Sequence, residues 1–295
     1  MKKIVLFVVV VGLVLISNLS SADVIRGIDI EFVSIGNAGN VADTEVMTRD
    51  GTTGYGSVRY EYRIGKYEIT NAQWNTFTGA AGAPIGDNGG YIHNSYYIGD
   101  QQPTNNISWY ETLQFCNYLT SGDKSKGAYL FSGDNTDPRS FIGIDRTSAQ
   151  SSYGTIYVLP NEDEWYKAAY YKPDGSGYSL YSNGINTAPI AGINSNYGDA
   201  FGAPWDVGSG IQEQNGTFDI LGNIWEWNET LFRNQYRVER GGSFQSQVSY
   251  IASSSRNFGN QYDEWAPEGF RIVCIPEPTT LSLLGLGLLA LRRKK

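Results

Sequence analysis

The chain has 295 residues, 41% of them hydrophobic and 18% charged, with 7 Trp, 21 Tyr and 12 Phe, which suffices for a folded core and excludes a disordered chain. Its 35 glycines follow no three-residue period, so a collagen-like fibre is excluded and a turn-rich fold is favoured over long helical bundles. The formal charge is -8, and Lys2, Lys3, Arg292, Arg293, Lys294 and Lys295 at the ends carry much of the positive side, so the body is more acidic still: it repels nucleic acid and is a reasonable host for divalent cations.

In chain order, Lys2-Lys3, the apolar run Ile4 to Ile16 and the small residues Ser20-Ser21-Ala22 form the three parts of a secretory signal, residues 1–22, cut after Ala22; the alternative is a buried N-terminal helix. Residues 23–275 show no repeat and no long linker, and read as one domain. Short extended pieces are predicted at Ile30 to Ile35, Tyr60 to Ile64 and Thr155 to Leu159. Three helices announce themselves by capping boxes: Thr70 with Gln73, Ser108 with Glu111, and Asn161 with Glu164. In the second, Trp109, Leu113, Cys116 and Leu119 share a face. Residues 80–106 and 122–154 read as surface insertions, and beyond 172 the Gly, Asn and Ser content predicts sparse regular structure.

Chemistry is thinly represented. His93 is the only histidine, which excludes a histidine-based triad or a multi-histidine iron site within one chain. Glu162, Asp163 and Glu164 resemble a glycosidase pair only superficially, because a helix start favours acids through its dipole. Arg240, Arg256 and Arg271 are expected to make buried ion pairs that lock loops. Cys116 and Cys274 belong to an exported body, where a disulfide would close a loop of roughly 160 residues, worth about 5 kcal/mol in the chain-entropy model.

At the C-terminus Pro276-Glu277-Pro278 precedes a weakly polar to apolar stretch, Thr279 to Leu291, and then the basic cluster. As a helix this stretch rises about 20 Å against a hydrocarbon core of about 30 Å, so alone it spans poorly, but the basic end would hold it in a membrane transiently during export. Residues 276–295 resemble the PEP-CTERM sorting signal of Gram-negative bacteria. The resemblance implies an exosortase as processing partner and a mature protein at the cell surface or in the extracellular matrix; the other reading is a retained membrane anchor.

Read in order, Glu31 to Gly36, Gly65 to Trp74, Asn106 to Trp109, Leu159 to Trp165, Asp219 to Trp227, Arg240 to Phe244 and Gly269 to Arg271 resemble the formylglycine-generating enzyme family, or sulfatase-modifying factor domain. The resemblance implies an α+β fold of C-type-lectin-like kind with little regular secondary structure and long loops. Active members oxidise a sulfatase cysteine with oxygen and a copper ion held by two thiolates, soft ligands suited to Cu(I). Carried over, those two positions are Val248 and Ser253, so no copper and no formylglycine synthesis are expected. In the family Cys116 and Cys274 resemble a structural disulfide, although Cys274 lies two residues beyond the usual site. The resemblance also implies calcium, with Asp219, the carbonyls of Gly222 and Ile224, and Glu226 as one ligand set, and Asn196 with the Tyr197 carbonyl as the start of another, Asp199 being a further partner. The alternative for the first set is a tight loop in which Glu226 pairs with an arginine.

These readings favour an exported binding or structural module whose partner is extracellular polysaccharide or an envelope protein. The alternative is an oxidase of the formylglycine-generating type, or another enzyme activity on the same fold.

Overall fold

The computed structural model describes residues 21–82, 84, 97–132 and 140–277. The first two strands, β1 (Ser21–Ile25) and β2 (Ile28–Ile35), form an antiparallel hairpin around Arg26-Gly27, both with positive φ. β1 pairs Ser21 with Phe32 and Ala22 with Glu31, so a cut after Ala22 would leave Asp23, Val24 and Ile25 of this strand. β3 (Tyr62–Gly65) adds to β2, and the last strand among the described residues, β11 (Val273–Ile275), lies between β3 and β6 (Ile156–Val158). The sheet order is therefore β1-β2-β3-β11-β6, antiparallel throughout.

The three capping boxes all form. α1 (Asn71–Ala81), α2 (Trp109–Ser121) and α4 (Glu162–Tyr170) begin after Thr70, Ser108 and Asn161, each side chain accepting the N–H three residues on while that residue's side chain bonds back. α2 is buried all round from Trp109 to Thr120, not on one stripe. Trp74 and Phe77 of α1 pack on Phe115 of α2, which meets Phe270 edge to face at 5.3 Å. The free edge of β6 is closed by α2: Thr120 Oγ1 accepts the Tyr157 N–H at 3.0 Å and donates to its carbonyl at 3.2 Å.

The stretch 122–154 is more regular than its composition suggests. It contains β4 (Tyr129–Phe131) paired with β5 (Phe141–Ile144), then α3 (Arg146–Tyr153), capped by Asp145 on the Ser148 N–H. Only Ala149 of α3 is buried, so the helix carries no apolar periodicity for a sequence reading to find.

A second sheet runs β10-β7-β8-β9, from β7 (Trp225–Phe232), β8 (Tyr236–Arg240), β9 (Asn257–Gly259) and β10 (Glu268–Gly269), with only the β10–β7 pair parallel. The long irregular run before β7 is tied to its surroundings by side-chain bonds to backbone carbonyls. Asn215 donates to Ala168 and Tyr171, and Arg271 to Gly65 and Phe218.

Candidate functional site

The turn Asp219 to Glu226 lies at the centre of the molecule. Asp219 and Asn223 both take positive φ, and Gly222 fits where an added Cβ would strike the Asn196 carbonyl, so the turn needs small or amide residues at these points. Glu226 and Arg271 are both fully buried; Nη2 lies 2.7 Å from Oε1, Nε bonds both oxygens at 2.7–2.8 Å, and Trp165 Nε1 donates to Oε2 at 2.7 Å. Glu68 accepts from the Asn223 amide at 2.7 Å and from the Ile224 N–H at 3.3 Å. Burial first, and then the charges of Asp219 and Glu226, push its carboxyl well above the ordinary range, against the pull of Arg271.

The two carboxylates of the first predicted calcium set are already engaged by protein donors. Both Asp219 oxygens are taken, one by Trp205 Nε1 at 2.8 Å and the other by the Gly208 N–H at 2.6 Å. Glu226 is held by Arg271 and Trp165, the arginine-paired alternative. Among the described residues no three acidic, histidine or cysteine side chains converge on one cation position. Gly222 and Ile224 shape the turn, the Tyr197 carbonyl receives a 3.4 Å bond from the Ala200 N–H, and Asn196 Oδ1 is buried without a hydrogen-bond partner. An amide oxygen is a hard donor of the kind that calcium accepts, and Asn196 Oδ1 is the buried orphan atom of the second predicted set.

The other buried arginines also lock loops. Arg240 bonds Glu162 and the carbonyls of Ser253 and Ser255, while Arg256 spans Glu162 at 2.7 Å and Asp50 at 3.1 Å. Glu164, the other acid of that helix start, closes its capping box and pairs with Arg146 at 2.7 Å. Both glutamates are thus structural.

Of the two predicted copper positions, Val248 opens a 3₁₀ turn, Val248–Tyr250, and is 42% exposed, whereas Ser253 is buried and donates its N–H to Leu180 at 2.9 Å. The two cysteines lie elsewhere and are free thiols, which corrects the expected disulfide. Cys116, in α2, has Glu229 and Arg146 as its charged neighbours; Cys274, in β11, accepts from Arg63 Nη2 at 3.1 Å near Asp23. They face different ionic surroundings. Burial raises both thiols, Cys116 strongly; Arg63 opposes the shift at Cys274. His93 lies outside the described residues.

Beside Val248 an open cleft of about 490 Å³ is lined by Trp225, Tyr250, Arg49, Gln245, Gln247 and Asn257, among others. The Trp225 and Tyr250 rings meet edge to face at 6.2 Å. Arg49 lies over the Phe258 ring at 4.1 Å and donates to Asn257 at 3.3 Å. The turn after β8 builds one wall: Gly241 and Gly242 have positive φ, with the Ile220 carbonyl and the Ile251 side chain where a Cβ would stand, and the Ser243 N–H bonds Ser246. Aromatic edges, amides and one guanidinium suit a polyhydroxylated or weakly anionic ligand. Sequence reasoning missed Arg49, Tyr250 and Glu68. Glu68 lay within a recognised motif, but Arg49 and Tyr250 had no local signal, because only the tertiary fold brings them to β7.

Residues 34–275 match the family model of the sulfatase-modifying factor enzyme 1-like domain, and residues 275–295 that of the PEP-CTERM protein-sorting motif. The chain is 26% identical over 213 residues to chaperone protein LppX of Paenibacillus barcinonensis, covering 64% of this chain and 71% of that one. It is 23% identical over 234 residues to hercynine oxygenase of Mycobacterium tuberculosis, covering 72% of this chain but only 52% of the oxygenase, so it spans about half of that protein's length. Among solved structures, Treponema denticola variable protein 1 superposes with a TM-score of 0.59 at 21% identity, over 84% of this chain and 96% of that one. PvdO from Pseudomonas aeruginosa gives 0.57 at 15% identity, over 85% and 95%. At such identities the likeness establishes the shared fold.

Proposed function

Because the chain belongs to the sulfatase-modifying factor enzyme 1-like family and carries a PEP-CTERM motif that marks it for export and exosortase processing, we propose that it is a non-catalytic binding module of the cell surface or extracellular matrix. The ligand we assign is extracellular polysaccharide, taken in the cleft between Trp225 and Tyr250. The observation that carries this reading is the cleft itself, lined by aromatic rings, amides and one guanidinium beside Val248, one of the two positions that the resemblance assigns to the copper thiolates. A valine methyl and a serine hydroxyl cannot hold Cu(I), so the pocket keeps its shape without a redox centre. A sugar ring would stack against Tyr250, which is 46% exposed, while Gln245, Gln247 and Asn257 exchange hydrogen bonds with its hydroxyls and Arg49 favours acidic sugars.

Binding of the purified protein to a panel of bacterial exopolysaccharides tests this. Tyr250→Ala should weaken the best ligand by about tenfold, near 1.4 kcal/mol, with thermal stability unchanged. Stoichiometric copper together with oxygen uptake on a cysteine peptide would overturn the proposal in favour of the oxidase.

A further inference from the structure

The end of the described chain and an exposed apolar groove share one short helix. Gln150 of α3 donates to the Pro276 carbonyl at 2.6 Å, and the Glu277 carboxylate packs against Gly154 just past the helix. Tyr153 stands three residues on from Gln150, on the adjoining part of the same helix surface. It lines an open groove of about 350 Å³ between α3 and the β4–β5 pair. Leu130, Ile142 and Tyr153 in this groove are 40%, 67% and 41% exposed, and Lys126 stands at its margin with its side chain 69% exposed and paired with Asp123 at 2.8 Å. Aliphatic groups set beside a tyrosine and a lysine are the composition of a surface that meets lipid headgroups.

What covers the groove follows from where the chain leaves it. The sorting motif spans residues 275–295, and its apolar stretch begins at Thr279, two residues beyond Glu277. Two extended residues reach about 7 Å. If that stretch enters a bilayer, the α3 surface stands at the entry point, and even a weak contact is strengthened by so short a tether. We propose that the groove formed by Leu130, Ile142 and Tyr153 rests on the bilayer that receives the tail, with the side chains at interfacial depth and Lys126 at the headgroups. The inference rests on the membrane reading of the tail and is independent of the ligand cleft.

The test uses the full chain in vesicles of phosphatidylethanolamine and phosphatidylglycerol. Because Cys116 and Cys274 are buried, a single added thiol can be labelled selectively with a fluorophore. Labels at Ile142→Cys and Leu130→Cys should be quenched several-fold more by lipid-borne nitroxide than by aqueous iodide. A label at Val41→Cys, which is 84% exposed and outside the groove, should show the reverse. In the Leu130-labelled chain, Ile142→Asp should restore iodide access while the chain still floats with the vesicles. Equal iodide access at all three labels overturns the proposal. So does a chain that fails to float, since the tether is then absent. Shielding that requires exosortase-containing membranes, and is absent with lipid alone, replaces the bilayer by a protein partner and overturns it too.

Discussion

Glu226 shows what a single buried carboxylate does here. Trp165 and Arg271 meet on it, and Arg271 also reaches the carbonyls of Gly65 and Phe218, so one residue joins β7, α4, the end of β3 and the loop at Phe218. Glu226→Ala leaves the Arg271 charge and the Trp165 N–H without this partner. It should cost about 3 kcal/mol or more in urea unfolding, at the lower end of the usual range for a broken buried pair, because Glu68 and Glu213 lie near enough to ionise in compensation. A loss under about 1 kcal/mol would show that the pair is dispensable. The thiols give a second expectation. Both are buried and protonated by environment, so a thiol-reactive disulfide reagent should label neither in the native protein and both in denaturant. A non-reduced protein lighter by two hydrogens would reveal a bond instead.

Helices with caps were legible in the sequence because a cap is local chemistry: Thr70, Ser108 and Asn161 satisfy N–H groups within one turn of themselves. Ser108→Ala should lower stability by about 1 kcal/mol, measured by thermal unfolding, and Ser108→Gly by less. The strands read at 30–35, 60–64 and 155–159 became β2, β3 and β6 within two residues at each end, since their apolar residues face a common core. By contrast α3 escaped notice, being polar and held, apart from its Asp145 cap, by Arg146 pairing with Glu164 and Glu229, partners distant in the sequence. The cleft was illegible for another reason. Its residues come from positions 49, 225, 243–250, 257 and 267, and no period or motif relates them. For Glu226, the family motif suggested a metal ligand and the fold supplied an arginine, because residues distant in sequence decide what reaches a buried oxygen.

On the scale of the fold, more acids than basic side chains are buried among the described residues, and burial holds several of their carboxyls above the ordinary range. Burial raises Glu111 and Glu213 to about 7 and Glu268 to about 8, with the Asp263 charge adding to the last. Glu264 also rises to about 8, through burial and the neighbouring Glu111. In the unfolded chain such groups titrate near 4.3. Between that value and about 8 the folded protein therefore binds more protons than the unfolded one, so stability should fall as pH rises from about 5 to about 8. Calorimetric melting temperatures across that window check the sign, and Glu264→Gln should flatten the slope; a melting temperature that climbs with pH would contradict it. The order of the five-stranded sheet carries one more implication. β11 is the last strand among the described residues yet an interior member, seated between β3 and β6. A polypeptide threaded across a membrane from its N-terminus presents this strand last, so earlier segments must wait outside with an open seam between β3 and β6. The seam closes when Val273 to Ile275 arrive, with only Pro276 and Glu277 before the tail's Pro278. Export in that order would leave the closing of the sheet to its final stage.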